Sequence, residues 1–207
     1  PPPLVLGMVA KSATNPVFIA ARAGAEEAAA EWSNRTGRVI RLDWRSPEDD
    51  DAGAQAAAID DLAASGAAGI LLSCSDAGLL TPHINAAVAR GCLVVCFDAD
   101  APASRRYAYC GSDNDAAGRE LMRQLARVMG GRGVVAILGG NRAAPNLQQR
   151  VAGARAELMR YPRLALLQEY YHAETPAAAV AVLQAAQREH PEIEGWCLIG
   201  GWPLYTP

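Results

Sequence analysis

The sequence predicts an α/β protein made of two doubly wound parallel-sheet lobes, the second incomplete. Three observations predict it. Short apolar runs alternate with longer segments of helical spacing from Leu4 to Ile199, the pattern of strands joined by helical crossovers. The apolar runs are nearly continuous rather than alternating, as expected of strands covered on both faces. The rhythm breaks once, between Asp100 and Ser112, which divides the chain into a first lobe (1–100), a crossover (101–112) and a second lobe (113–207).

The elements follow in order. Leu4 to Ala10 is the first strand. Asn15-Pro16 then opens a helix, because asparagine suits the N-cap and proline the first turn. Phe18, Ala21, Arg22, Ala25 and Ala29 continue at helical spacing, and Gly37 follows the end. Val39 to Trp44 is a strand. Ser46-Pro47-Glu48 starts a second helix, with Ile59 and Leu62 inward and Ser65-Gly66 as its stop. Gly69 to Ser73 is a strand, about Leu79 to Ala89 a helix, and Cys92 to Phe97 the fourth strand. Ala101 to Arg106 is a loop and Tyr107 to Cys110 a short extended piece. Asp113-Asn114-Asp115 caps a helix to about Met129, stopped by Gly130 to Gly133. Val134 to Leu138, Leu164 to Tyr170 and Trp196 to Ile199 are strands, separated by helices at Asn146 to Tyr161 and Pro176 to Glu189. The last strand should feed another helix. Without one, part of the second sheet keeps an open face or edge.

Composition narrows the function. A formal charge of −3 gives no electrostatic reason to expect nucleic acid or an anionic membrane. No apolar run approaches the roughly 20 residues of a membrane span. The five cysteines are Cys74, Cys92, Cys96, Cys110 and Cys197. An odd number in a chain of this size argues against a disulfide framework, and Cys92 and Cys96 stand roughly 13 Å apart along one strand. They read as buried apolar residues. The histidines His83, His172 and His190 show no metal-ligand spacing, there is no nucleophile elbow, and neither Gly139-Gly140 nor Gly130 to Gly133 forms a phosphate loop. The acidic run Glu48 to Asp51 reads as complementing a helix dipole. No cofactor and no metal are expected.

What remains is a set of groups at strand ends. Ligands of parallel α/β sheets bind beyond the carboxyl ends of the strands. Those positions hold Asn15, with Phe18 one turn on; Cys74 and Ser75; Asp98; Asn146 and Arg150; Tyr171 to Glu174; and Gly200 to Trp202. Hydrogen-bonding groups mixed with rings suit a polyol. Alone, each has a plainer reading: Asn15 and Asn146 as caps, Asp98 as a turn former, Arg150 as a surface charge.

Several stretches together resemble the ribose-binding-like sugar receptors of bacterial ATP-driven importers, the type I periplasmic binding proteins. They are Thr14 to Phe18, Gly69 to Ser73, Val94 to Asp100, Gly111 to Gly118 and Asn146 to Gly153. The resemblance implies a non-catalytic receptor, periplasmic or extracellular and membrane-associated. Such a receptor is monomeric, closes its lobes on a monosaccharide or related polyol and passes it to an ABC permease. It further implies that Asn15 and Phe18 touch the sugar from the first lobe, that Asp98 accepts hydroxyl hydrogen bonds, that Arg150 reaches in from the second lobe, and that Gly200, Gly201 or Trp202 stands at the last strand end. Cys74, Asn146 and Glu174 complete the ligand-binding set. Many relatives carry arginine directly after the strand-four aspartate, where this chain has Ala99, so the sugar is left open. Two other readings stand beside this one: the effector-binding core of a LacI-type repressor, and an enzyme using Asp98 and His172.

Overall fold

A computed structural model describes residues 2–205. The chain divides into two compact units, with the boundary between Gly111 and Ser112.

The first unit is a five-stranded parallel sheet. In chain order its elements are β1 (Leu4–Val9), α1 (Pro16–Thr36), β2 (Ile40–Trp44), α2 (Ala52–Ala64), β3 (Gly69–Leu72), α3 (Ala77–Ala89), β4 (Leu93–Phe97) and β5 (Ala108–Cys110), and the sheet order is β2-β1-β3-β4-β5. Ile70 pairs with Val94 and Leu72 with Cys96 in register. These four side chains share one face, and α2 and α3 bury them with Ile59, Leu62, Leu80 and Ile84. Gly7 belongs to this contact, since a Cβ there would lie 2.4 Å from Leu62 Cδ1. The alternate positions, Leu71, Val95 and Phe97, are only half-buried, and Leu93 is exposed. Of the 21 residues of α1, Phe18 alone is buried. One face of this sheet is therefore sealed and the other partly covered, which departs from the equal cover that the apolar strands predict.

Three boundaries differ from expectation for identifiable reasons. Helix α2 begins not at Ser46 but behind Asp51, whose carboxylate accepts from Ala54 N (2.9 Å). Ser46 instead accepts from Ala10 N (2.7 Å), and Glu48 O accepts from the Ser12 and Thr14 hydroxyls. The segment 46–50 is thus a loop stitched to the end of β1, and of the acidic run only Asp51 caps the helix. Helix α3 begins two residues early because Asp76 caps it. The expected crossover belongs largely to the first unit: β5 pairs with β4, Val95 opposite Ala108, and Asp100 binds Arg106 (Nη2 to Oδ2, 2.7 Å) and its own loop at Ala101 N (2.8 Å).

The second unit contains α4 (Asn114–Val128), β6 (Arg132–Leu138), α5 (Pro145–Leu158), β7 (Arg163–Tyr170), α6 (Pro176–Glu189), β8 (Gly195–Leu198) and a short 3-10 turn (Trp202–Tyr205). Its parallel sheet has the order β7-β6-β8. Gly130 and Gly131 both take left-handed φ, 65° and 70°, which ends α4 in a reversal that other residues resist. Helices α4 and α5 approach closely. A Cβ on Gly118 would lie 1.9 Å from Arg150 O, and one on Gly153 2.2 Å from Asp115 O. The core gathers Met122, Val135, Ile137, Leu147, Val151 and Ile199. Glu157 is buried beside it and bound by Arg123 (3.3 Å) and Arg160 (3.4 Å). Burial opposes its charge, but the Arg123 hydrogen bond and the charges of Arg123 and Arg160 outweigh that and hold its carboxyl below the ordinary range.

The outer side of β8 is open among the described residues. A groove of about 780 Å³ runs there, lined by Leu121, Leu125 and Val128 of α4 together with Trp196, Leu198 and Leu204.

Candidate functional site

The end of β4 is a reverse turn centred on Asp98, held by groups from β3, β5 and the residues that follow them. Immediately after β4, Ala99 N–H closes back onto Phe97 O (2.6 Å), with Asp98 between them at φ 57°. Asp98 is the non-glycine residue in the left-handed region among those described. A turn of this hand centred on a residue with a Cβ is strained, so its surroundings must hold it. They do. Tyr109 Oη donates to Asp98 O (2.9 Å), Asp98 N donates to Cys110 O (3.3 Å), and Cys74 N donates to Ala99 O (3.1 Å). On the carboxylate, Ser73 Oγ donates to Oδ2 (2.9 Å). The side chain is half-buried.

Asn15 caps α1. Its Oδ1 accepts from Val17 N (3.0 Å), which leaves the amide hydrogens as what it can offer a ligand. Phe18 is buried and stands edge-on to Phe97, centroids 6.3 Å apart. Phe97, half-buried at the end of β4, is thus a ring at the strand ends that sequence reasoning passed over. The alternation along β4 places it opposite the buried Cys96, and that signal could have found it.

Cys74 is a correction. It is fully buried, and its sulfur lies 4.0 Å from that of Cys96. The contact with Cys96, then burial, pushes the Cys74 thiol upward. The side chain points into the core because position 74 continues the inward face of Ile70 and Leu72, so it offers nothing to a ligand. Both thiols are free, as are Cys92, Cys110 and Cys197. Cys110 is exposed, against the expectation that all five are buried.

The second unit brings together a different set. Arg150, on α5, donates from Nε to Asn114 Oδ1 (2.8 Å) and from Nη1 to Ile199 O (3.4 Å). Its guanidinium is therefore fixed between the start of α4 and the end of β8. This accounts for the stretch Gly111 to Gly118: Asp113 caps α4 through Ala116 N (2.9 Å), Asn114 orients Arg150, and Gly118 admits the α5 backbone. Asn146 does not cap α5. Ala144 is the N-cap, and Asn146 is buried one position into the helix, with Oδ1 accepting from Leu147 N (3.0 Å). Glu174 Oε1 accepts from Asn141 N (3.4 Å).

Trp202 packs over the glycines. A Cβ on Gly200 would lie 2.0 Å from Trp202 Cζ3, and one on Gly140 would lie 3.0 Å from Trp202 Cη2. The indole meets His172 edge-on at 5.1 Å and joins the core beside it. Gly200 is thus a seat for Trp202 rather than a bare strand end. His172 is buried, its Nδ1 bonded to Ala173 O (2.8 Å), and burial lowers its pKa from the ordinary value.

Among the described residues no group of three or more His, Cys, Asp or Glu could hold a metal ion, and no helix is long and apolar enough to cross a membrane.

Residues 6–206 match the family model of the periplasmic binding protein domain. The chain belongs to the periplasmic binding protein family. Solved structures agree. A solute-binding protein of an ABC transporter from Burkholderia graminis, in complex with D-arabinose, is 25% identical with a TM-score of 0.86, over 97% of this chain and 67% of that one. A glucose-galactose binding protein from Geobacillus stearothermophilus is likewise 25% identical, TM-score 0.87, over 95% of this chain and 68% of its own. A solute-binding protein from Agrobacterium vitis bound with α-D-tagatopyranose shares the fold at 20% identity, TM-score 0.87, over 96% and 68%. The chain spans about two-thirds of the length of these proteins. No curated protein matches its sequence. The family and these neighbours bind solutes without catalysis, which sets aside the reading of Asp98 and His172 as an enzyme's pair.

Proposed function

We propose that this binding-protein chain belongs to an extracytoplasmic receptor for a monosaccharide or related polyol, which it delivers to an ABC permease. The observation that carries this reading is the turn at Asp98. At the carboxyl end of β4 the Asp98 carboxylate accepts from Ser73 Oγ, while Tyr109 Oη donates to Asp98 O and Cys74 N to Ala99 O to hold the strained backbone of the turn. Such strain persists where the surrounding structure over-determines it, and it concentrates at ligand sites. Ionised, the group accepts hydrogen bonds and matches the hydroxyls of a sugar.

Around it, Asn15 offers amide hydrogens and Phe18 with Phe97 an apolar surface. In the second unit the fixed guanidinium of Arg150 is a directional donor, with Asn146 in the first turn of α5, Glu174 in the loop after β7 and Trp202 in the turn after β8. Trp202 contributes a ring, and Gly200 acts through it. Ligand favours a closed arrangement because it gains contacts there. Solved neighbours with D-arabinose and α-D-tagatopyranose support the sugar class.

The test is a thermal-shift screen of the full-length protein against D-arabinose, D-glucose, D-galactose, D-tagatose, D-allose and D-fructose. A sugar at 100 times its Kd adds about 2.7 kcal/mol to the folded state and raises Tm visibly. Absence of any shift across sugars and polyols overturns the reading.

A further inference from the structure

We infer that Ser73, itself fixed by Gln55, is the positioning residue that aims the Asp98 carboxylate, with Tyr109 holding the backbone beneath it. The inference rests on the reading of Asp98 as the sugar-binding carboxylate, and it gives a role to three residues to which neither the strand-end pattern nor the resemblance assigns one.

The geometry is a chain of hydrogen bonds running from the core to the site. Gln55 is fully buried on α2. Its Nε2 donates to Ala10 O (2.9 Å) and to Ser73 O (2.8 Å), and its Oε1 accepts from Ser75 N (2.9 Å). One amide thus ties the residue after β1 to the two residues flanking Cys74. A buried amide with its polar atoms engaged is rigid, since any movement leaves donors or acceptors unpaired. Ser73 is fully buried as well, and its N–H donates to Val9 O (2.9 Å). Its hydroxyl therefore leaves a fixed backbone and meets Asp98 Oδ2 at 2.9 Å.

Asp98 would not hold this pose unaided, because φ 57° is unfavourable for a residue with a Cβ. Tyr109, on β5, donates to Asp98 O from the other side (2.9 Å). Strand β5 is only three residues long. By pairing with β4 it brings the Tyr109 hydroxyl beneath the turn, so the segment after Asp100 serves the site as well as connecting the units.

The consequence is specific. Ser73 and Tyr109 act through Asp98 and touch no sugar, so their effect on binding must vanish when the carboxylate is gone. The experiment is a double-mutant cycle by calorimetry on the full-length protein, titrated with D-arabinose or the tightest binder among the six sugars above. Ser73→Ala is expected to weaken binding about tenfold, the worth of one hydrogen bond to a charged group. In the Asp98→Ala background the same change should move Kd less than about twofold. Tyr109→Phe should show the same coupling, and Ser73→Thr, which keeps the hydroxyl, should recover most of the affinity.

Equal losses in both backgrounds, or no loss from Ser73→Ala, overturn the inference. An Asp98→Ala protein that binds as well as the parent overturns both this inference and the role of Asp98. If the folded protein binds none of the sugars, the receptor reading falls. The cycle is then read in thermal unfolding, where non-additive Ser73→Ala and Asp98→Ala effects support the positioning contact and additive effects overturn it.

Discussion

Replacing Asp98 by glycine and by alanine separates the two demands the protein places on this position. Both changes remove the carboxylate and leave the buried Ser73 hydroxyl without that acceptor, at a shared cost of about 1–3 kcal/mol. They differ only in the backbone. At φ 57° a Cβ is worth roughly 1–2 kcal/mol of strain, which glycine does not carry. Glycine also gains freedom in the unfolded chain, which returns about 0.4–1 kcal/mol. The net expectation is that Asp98→Gly is more stable than Asp98→Ala by about 1 kcal/mol, or about 2–4 °C in Tm for a chain of this size. Differential scanning calorimetry of the two variants measures this. Sugar affinity should behave otherwise: both variants should lose about 2 kcal/mol or more, some thirtyfold in Kd. An alanine variant as stable as the glycine variant would show that the turn is not strained. A variant that binds like the parent would show that the carboxylate does not meet the ligand.

Other outcomes follow from the same structure. Gly118→Ala forces a methyl into the α5 backbone, 1.9 Å from Arg150 O. It should cost about 1–3 kcal/mol in thermal unfolding and weaken sugar binding through Arg150. The pH dependence has two parts of one sign. Glu157 has a lowered folded pKa, so its stabilisation is present above its unfolded value and lost as pH falls through the folded one. His172 is held below 6.5, so stability also falls as the pH drops below about 6.5, where the unfolded chain takes up the proton first. Tm measured from pH 8 to pH 4 should therefore decline, and His172→Phe should flatten the upper part of that decline. Thiol titration with a disulfide reagent should find one reactive cysteine, Cys110, in the native protein and all five after denaturation. Fast native reaction at Cys74 would contradict its burial.

Much of this could be read from residue order because local rules decide it. Asn15-Pro16 and Thr175-Pro176 open helices where capping and proline geometry say they should. The apolar runs at β3, β4 and β6 are strands because nothing but burial on a sheet suits them. Asp98 stands out as a candidate because ligands of parallel sheets bind beyond the carboxyl ends of the strands, whatever the ligand. Other features depend on contacts distant in sequence. Ser46 reads as a helix start, yet its hydroxyl is taken by Ala10 N, 36 residues away, and the helix waits for Asp51. Tyr107 to Cys110 reads as part of a crossover because four residues carry no period, and only pairing with β4 makes the last three of them a strand. Cys74 falls at a strand end, but its direction is set by the inward face of β3. Gln55 carries no local signal at all, since its value comes from three backbone groups that folding brings to it.

The most direct measurement is a crystal structure of the full-length protein with a bound monosaccharide. The account predicts a sugar hydroxyl at hydrogen-bond distance from the Asp98 carboxylate, about 2.5–3.0 Å, with Asp98 still in the left-handed turn and still bonded to Ser73. A bound sugar that leaves Asp98 untouched, or an Asp98 released from Ser73 on binding, would contradict it.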